Sequence, residues 1–448
     1  MNGVEITSLS LSLLAVFSFF QVGLLVDFYL LSKCRLSFRP AIFLGLGIGV
    51  IGLGQLLLSI FKIYLNQTLA LASFLLFLLP LVLDARLVKQ LRIEMGHWPV
   101  KIRRSKANLF LIFALLLFLV FLIIPTFSHT VWGSDALTYW LFRARAYFSD
   151  GLVNRENLFP FWSHEQPILW PLTATWFYHF LGQSNEYWFQ LVPLVILFNL
   201  IWFFYANLPP IRSWQRFLFT QVLFLTPFLW QNVALGEYVG NADLLASFYL
   251  LLAIVLIIKK SFNLAALFLF FASITKFDVL PAVLGFLFLL PIFNFFLHQP
   301  WQDTKKIWIA TFGLLLLFWL WNQSITPGNQ YFSSLQSLNF SQRPFLSYMW
   351  YTVNAFREEF RQVYRWGLGW WLIFFLGALN LPQVFPKANY LLAFSLIICQ
   401  FMGYFVVYYI SPENQASQIA TSIFRLVLQV YPASLFLVSY LSYNKKLR

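Results

Sequence analysis

The chain has 448 residues, of which 60% are hydrophobic and only 10% charged, against roughly 25% charged in an ordinary soluble domain. A larger core cannot absorb the difference, because a soluble surface must still be covered with polar groups; lipid-facing helix can. The formal net charge of +14 does not point to nucleic acid, since no soluble domain is present to bind it, and membrane topology accounts for it instead.

Apolar stretches near the ~20 residues that cross a bilayer as helix lie at about 9–31, 41–64, 68–84, 107–127, 187–207, 215–231, 242–258, 262–275, 279–297, 307–324, 367–382, 389–410 and 424–442. They are continuous runs, not the short alternating segments of a barrel. The expected fold is therefore all-α and polytopic, with thirteen spans. The first run reads as a true helix and not a leader, because Met1 to Ser8 carries no Lys or Arg and the run is too long for a signal sequence. Cys34 and Cys399 lie in or beside apolar spans, far apart, and read as small core residues.

The loop at 85–106 holds Arg86, Lys89, Arg92, Lys101, Arg103, Arg104 and Lys106, which makes it cytoplasmic. Alternation then places 20 of the 30 Lys and Arg inside, with the N-terminus external and the tail cytoplasmic. The apolar segment 166–182 breaks this pattern if it crosses, because Arg212, Arg216, Lys259 and Lys260 would then flip outside. It is expected to lie along the outer membrane surface, its start marked by Gln166-Pro167 and Trp170-Pro171. Two long external segments remain, about 128–186 and 325–366, both rich in Trp, Tyr and Arg, as suits a site at the membrane–water boundary. The chain thus reads as 1–106 (three added helices and a basic loop), 107–324 (a core with the first external loop) and 325–448 (the second external loop and the last helices).

In the first external loop, Leu137, Leu141, Ala144 and Phe148 fall on one face of an interfacial helix. Asp135 stands where that helix begins, either as its N-cap or as a carboxylate held at the bilayer surface to act as general base. Glu237 and Asp243 sit at the next external turn, where Asp243 is either a helix cap or a site residue. Lys276 and Asp278 lie between two short spans; on a helix an i, i+2 pair would point to different partners. Arg425 opens the last span on the side where Arg is disfavoured, and wants an anion, either a phosphate or a carboxylate such as Glu413. Arg357, Arg361 and Arg365 follow an i, i+4 spacing and read as a basic stripe.

The order Trp132-Gly133-Ser134-Asp135-Ala136, Tyr139-Trp140, Ala144-Arg145-Ala146 and Asp150-Gly151 resembles the opening loop of GT-C membrane glycosyltransferases, such as protein O-mannosyltransferases and the lipid A aminoarabinose transferase. Further likenesses are His164-Glu165-Gln166-Pro167, Phe180-Leu181-Gly182-Gln183-Ser184-Asn185-Glu186, Glu237 to Asp243, Ser273-Ile274-Thr275-Lys276-Phe277-Asp278, and Thr421-Ser422-Ile423-Phe424-Arg425-Leu426. The likeness spans about 107–441. It departs from the family at Gln166, where many relatives have a second Pro, and at Phe277-Asp278, where Asn-Glu is commoner.

The resemblance implies an inverting transfer of sugar from a polyprenyl-phosphate donor to a glycan, lipid or protein acceptor, on the external face of a bacterial inner membrane. Asp135 would be the base. Arg425 and Lys276 would hold the donor phosphate, and Glu237, Asp243, Asp278, His164 and Arg145 would line the substrate site. No cofactor is implied with certainty, although some relatives use a divalent metal. Membrane lipids are the other expected partners. The rival classes are a lipid or polysaccharide transporter or flippase, and an O-antigen polymerase or ligase.

Overall fold

The structure is a computed structural model that describes residues 3–30, 39–89, 106–153, 167–209, 213–297, 301–325, 344–411 and 414–444. Its described residues are helical and contain no strand. Among the described residues, six helices are long and apolar enough to cross a membrane, or seven if a bent pair counts as one. The protein is therefore an integral membrane protein of the all-α class. It divides into two units. The first comprises Met1–Trp162, Ile168–Phe224 and Leu229–Asn241; the second comprises Ser163–Pro167, Leu225–Phe228 and Ala242–Arg448.

The first unit begins with α1 (Gly3–Leu30), α2 (Pro40–Ile60) and α3 (Gln67–Leu83). Two glycines set the packing of α1 on α2. A Cβ at Gly23 would stand 1.7 Å from the Phe43 carbonyl oxygen, and one at Gly47 would stand 1.7 Å from that of Phe19. The helices touch backbone to backbone, which is the packing small residues permit between membrane helices. Buried Asp27 pairs with Arg39 near the far end of the same contact. α4 (Lys106–Thr126) leads into the first loop, which carries a π-helical turn (Ala136–Trp140), α5 (Leu141–Asp150) and α6 (Leu169–Leu181). Next come α7 (Glu186–Phe189), α8 (Leu191–Asn207), α9 (Ser213–Phe224) and α10 (Pro227–Ala234), the last two bent by 57° at their junction.

Two expectations are sharpened here. The segment expected to lie along the outer surface, α6, is covered by protein along its whole length. Its 13 residues make a rod of about 20 Å, too short for a hydrocarbon core of ~30 Å. Polar side chains of the three N-terminal helices grip it. Gln55 donates to the Leu172 carbonyl (2.9 Å), Gln67 to that of Phe180 (3.0 Å), and Trp176 Nε1 donates to Ser18 Oγ (2.9 Å). An apolar run packed in protein and one facing lipid have the same hydropathy, and only the buried Thr173, Thr175 and His179 mark the difference.

The buried face of α5 is shifted by about one residue from the expected one: Leu141 and Ala144 are buried, but Leu137 and Phe148 are only half-buried. The π turn before it closes Leu141 N–H on the Ala136 carbonyl, five residues back. The buried set becomes Ala136, Trp140, Leu141, Arg143, Ala144 and Tyr147, with the Arg143 guanidinium donating to the Tyr147 hydroxyl (3.2 Å).

The second unit is built on α11 (Asp243–Ile258), α12 (Phe262–Thr275), a 3-10 turn (Phe277–Val279), α13 (Leu280–Leu297) and α14 (Trp301–Ile325). It continues with α15 (Phe345–Arg361), α16 (Val363–Trp366), α17 (Gly369–Asn380), α18 (Ala388–Ile410) and α19 (Gln415–Asn444). Every residue of α11 is buried, so α11 is the central post of this unit, with α12, α18 and α19 packed around it. α19 starts nine residues before the expected span, which places Arg425 inside a helix and not at its mouth. Cys399, on α18, lies against Gly285 of α13; Cys34 lies outside the described residues.

Candidate functional site

In the first unit, Asp135 has helical backbone angles (φ −59°, ψ −41°) and its side chain makes no capping hydrogen bond. The cap reading of this residue therefore does not hold. What positions Asp135 is the backbone around it. Trp132 N–H and Gly133 N–H both donate to the Gly236 carbonyl at 3.0 Å, which ties the loop after α4 to the turn at 235–241. A Cβ at Gly133 would stand 1.9 Å from the Glu237 carbonyl oxygen, so only glycine allows this approach. Gly240, at φ +92°, packs against Ala136, and its carbonyl accepts from Trp170 Nε1. Asp135 and Glu237 thus stand on one joined piece of backbone, with the Glu237 side chain exposed.

Arg145 is engaged nearby. Its Nε lies 3.4 Å from Glu186 Oε1, which also accepts from the Tyr178 hydroxyl (3.4 Å). His164 lies outside the described residues.

The second unit holds the strongest polar cluster. Asp243 is fully buried and accepts from Lys276 Nζ (2.7 Å) and Gln429 Nε2 (2.9 Å) on Oδ1, and from Arg425 Nε (2.9 Å) on Oδ2. It is the first residue of α11, but no side chain caps that helix, so Asp243 serves as an ion-pair acceptor and not as a cap. Arg425 and Gln429 are one turn apart on α19 and reach the same carboxylate, as an i, i+4 pair can. The Gln429 amide oxygen accepts in turn from the buried Tyr404 hydroxyl (3.1 Å).

Lys276 and Asp278 do not diverge as expected. Lys276 is extended (φ −149°, ψ 129°) and Asp278 lies in a 3-10 turn, so the helix rule has no hold here. Their charges stand 3.4 Å apart. The side chain of Gln400 fixes this turn by donating to the Asp278 carbonyl and accepting from Ala282 N–H (3.1 Å). The cluster brings together two cations and two carboxylates. Chemically it is an electrostatic anchor, in which Asp243 orients Lys276 and Arg425.

The expected basic stripe of Arg357, Arg361 and Arg365 is broken. α15 ends at Arg361, Gln362 leaves helical angles (ψ 86°), and Arg365 turns onto the buried carboxylate of Glu359 (2.8 Å). Arg357 and Arg361 share the exposed Glu358, each at 3.1 Å.

One group that sequence reasoning missed is His179. It is buried, and neither ring nitrogen meets a hydrogen-bond partner. With Gln55, Ser59, Tyr147 and Thr175 it lines a small cavity that has room for about one water molecule. Burial pushes the imidazole down from its ordinary 6.5 to about 4. The folded protein therefore holds a neutral ring where an unfolded chain would already bind a proton. Stability from this source is complete above pH 6.5, falls as pH drops toward 4, and levels off below, a total of about 3 kcal/mol. Thermal melting in detergent from pH 7.5 to 4.5 should show this loss, and His179→Gln should flatten the part of it above pH 5. An unchanged acid slope in that variant removes His179 from the account.

Among the described residues, no three of His, Cys, Asp and Glu come together to hold a metal ion. Comparison of the chain with family models, with curated proteins and with solved structures gives no match.

Proposed function

We propose that the chain is a membrane glycosyltransferase that moves a sugar from a polyprenyl-phosphate donor to an acceptor on the external face. The observation that carries this reading is Asp135. It is a carboxylate in the helical turn immediately before a π turn of the kind often found at functional sites, pinned through Gly133 to the Glu237 turn. The motif order around it, which resembles that of GT-C enzymes, supports the same reading.

In the reaction, Asp135 takes the proton from an acceptor hydroxyl. The acceptor oxygen forms a bond to the anomeric carbon from the face opposite the phosphate, the carbon–oxygen bond to phosphate breaks, and the lipid phosphate leaves with the electron pair. The product is inverted at that carbon. Arg425 and Lys276, held in orientation by Asp243, stabilise the charge that develops on the leaving phosphate. Glu237, Asp278 and Arg145 serve the acceptor and the sugar. No step is assigned to a metal. The topology that goes with this function has thirteen crossings, an external N-terminus and a cytoplasmic C-terminus, in a bacterial inner membrane, with α6 inserted between helices and not crossing.

The second reading is transport. It is favoured by the 57° break between α9 and α10, since broken helices are common at transporter sites. One experiment separates the two. The purified protein in vesicles is given radiolabelled polyprenyl-phosphate sugars and envelope glycolipid acceptors. Donor consumption with labelled product is the expected result. Movement of intact donor across the vesicle without bond cleavage supports transport, and a complete lack of donor consumption overturns the transferase reading.

A further inference from the structure

The short α16 presents a guanidinium that the transfer reaction does not use. Arg365 is held from one side by Glu359, whose Oε2 accepts from Arg365 Nη1 and whose Oε1 accepts from Trp366 Nε1, each at 2.8 Å. Glu359 and Trp366 are buried, so this clamp is fixed. The guanidinium carbon stacks 4.6 Å from the centre of the Phe424 ring and 5.4 Å from that of Tyr364. The Arg365 side chain keeps 24% of its surface exposed. Its Nε and Nη2 edge donates to no group among the described residues. A planar fork of this kind, locked on one edge and open on the other, matches two oxygens of a phosphate.

The surroundings say what carries the phosphate. Val363, Tyr364, Leu368 and Trp371 are exposed apolar residues on the same stretch of chain. Gly367, at φ +55° with open space where a Cβ would be, turns the chain between α16 and α17. An apolar apron beside a locked guanidinium suits a ligand with a phosphate head and a hydrocarbon tail, the arrangement used at membrane boundaries. The neighbouring charges do not compete, since Glu358 is taken by Arg357 and Arg361.

We propose that Arg365 is the head-group site for the phosphate of an anionic membrane lipid, with Val363, Tyr364, Leu368 and Trp371 against its chain. Phosphatidylglycerol and polyprenyl phosphate share this chemistry. The proposal stands whether or not the chain transfers a sugar.

The test is lipid retention by the full-length protein in detergent, read by native mass spectrometry with phosphatidylglycerol, polyprenyl phosphate and phosphatidylcholine added separately. The unaltered chain should keep an anionic lipid in preference to phosphatidylcholine. Arg365→Gln should weaken that retention about 10-fold or more. Arg365→Lys, which keeps a charge for Glu359 but loses the fork, should weaken it as well, and serves if the Gln variant fails to fold. Arg361→Gln should bind as the unaltered chain does. Preference for polyprenyl phosphate over phosphatidylglycerol assigns the site to the donor lipid, and equal retention assigns it to the bulk membrane. If Arg365→Gln and Arg365→Lys both fold and keep both lipids at full strength, the proposal is overturned.

Discussion

Asp135→Asn should lower sugar transfer by about 10²- to 10⁴-fold, the usual contribution of a general base, while leaving donor binding and the melting temperature unchanged. Asn has the shape and polarity of Asp but cannot accept the proton from the acceptor hydroxyl. The structural part of the expectation rests on the helical backbone of Asp135, which is not that of a cap. Where a side chain caps a helix, its loss to Ala costs about 1 kcal/mol. Here Asp135→Ala should cost far less, because the loop is held by Trp132 and Gly133 on the Gly236 carbonyl. A pair of measurements decides the matter: turnover of the lipid-linked donor by each variant, and thermal melting of each. Full turnover by Asp135→Asn ends its role as base. A melting loss in Asp135→Ala that matches the activity loss returns the residue to a structural role.

Much of the helical layout is legible in the sequence, because continuous apolar runs leave the backbone no alternative to internal hydrogen bonding in lipid. A helix lies over each expected span, but among the described residues only six, or seven with the bent pair, are long and apolar enough to cross a membrane. What hydropathy cannot report is what an apolar face touches. The burial of α6 depends on Gln55, Gln67 and Ser18 reaching it from three other helices, and no local pattern encodes that meeting. The π turn at Ala136–Trp140 is similarly hidden, as its sequence fits an ordinary helix.

At the candidate site, residue types were readable and partners were not. Arg425 called for an anion, and Glu413 or a phosphate were the partners that sequence suggested; Glu413 lies outside the described residues, and among those described Asp243, 182 positions away, pairs with it. The Lys276–Asp278 pair misled because the helix rule was applied to residues that are not helical. Arg365 misled because the helix is not continuous: α15 stops at Arg361, Gln362 breaks the helix, and Arg365 belongs to α16. The spacing of Arg425 and Gln429 was the available clue that one group on another helix collects both.

Asp243 is where the second unit should be most sensitive. Its carboxylate faces Lys276, Arg425 and Gln429 in a buried setting, and removing one partner of such a group strands the others. Asp243→Leu should destabilise the protein by about 3–5 kcal/mol, seen as loss of monodisperse protein after mild heating. Asp243→Asn should fall in the same range. It keeps the volume but not the charge, and its amide NH₂ meets groups that are themselves donors.

The sharper test removes the cations together with the anion. In Asp243→Leu/Lys276→Met/Arg425→Met the buried carboxylate and the two cations that face it are removed together. Asp278 remains part-exposed, and Gln429 keeps its bond from Tyr404. Replacing a buried ion group by apolar residues of similar size is often neutral or stabilising, so the triple variant should recover most of the stability that Asp243→Leu loses. The three effects should be far from additive, as expected for residues sharing one carboxylate. Transfer activity should not return, because Lys276 and Arg425 are also the groups assigned to the leaving phosphate. Recovery of stability without activity would separate the two roles of the cluster. Recovery of both would mean that it is structural only, and recovery of neither would mean that the contacts of Asp243 with the two cations do not account for its importance.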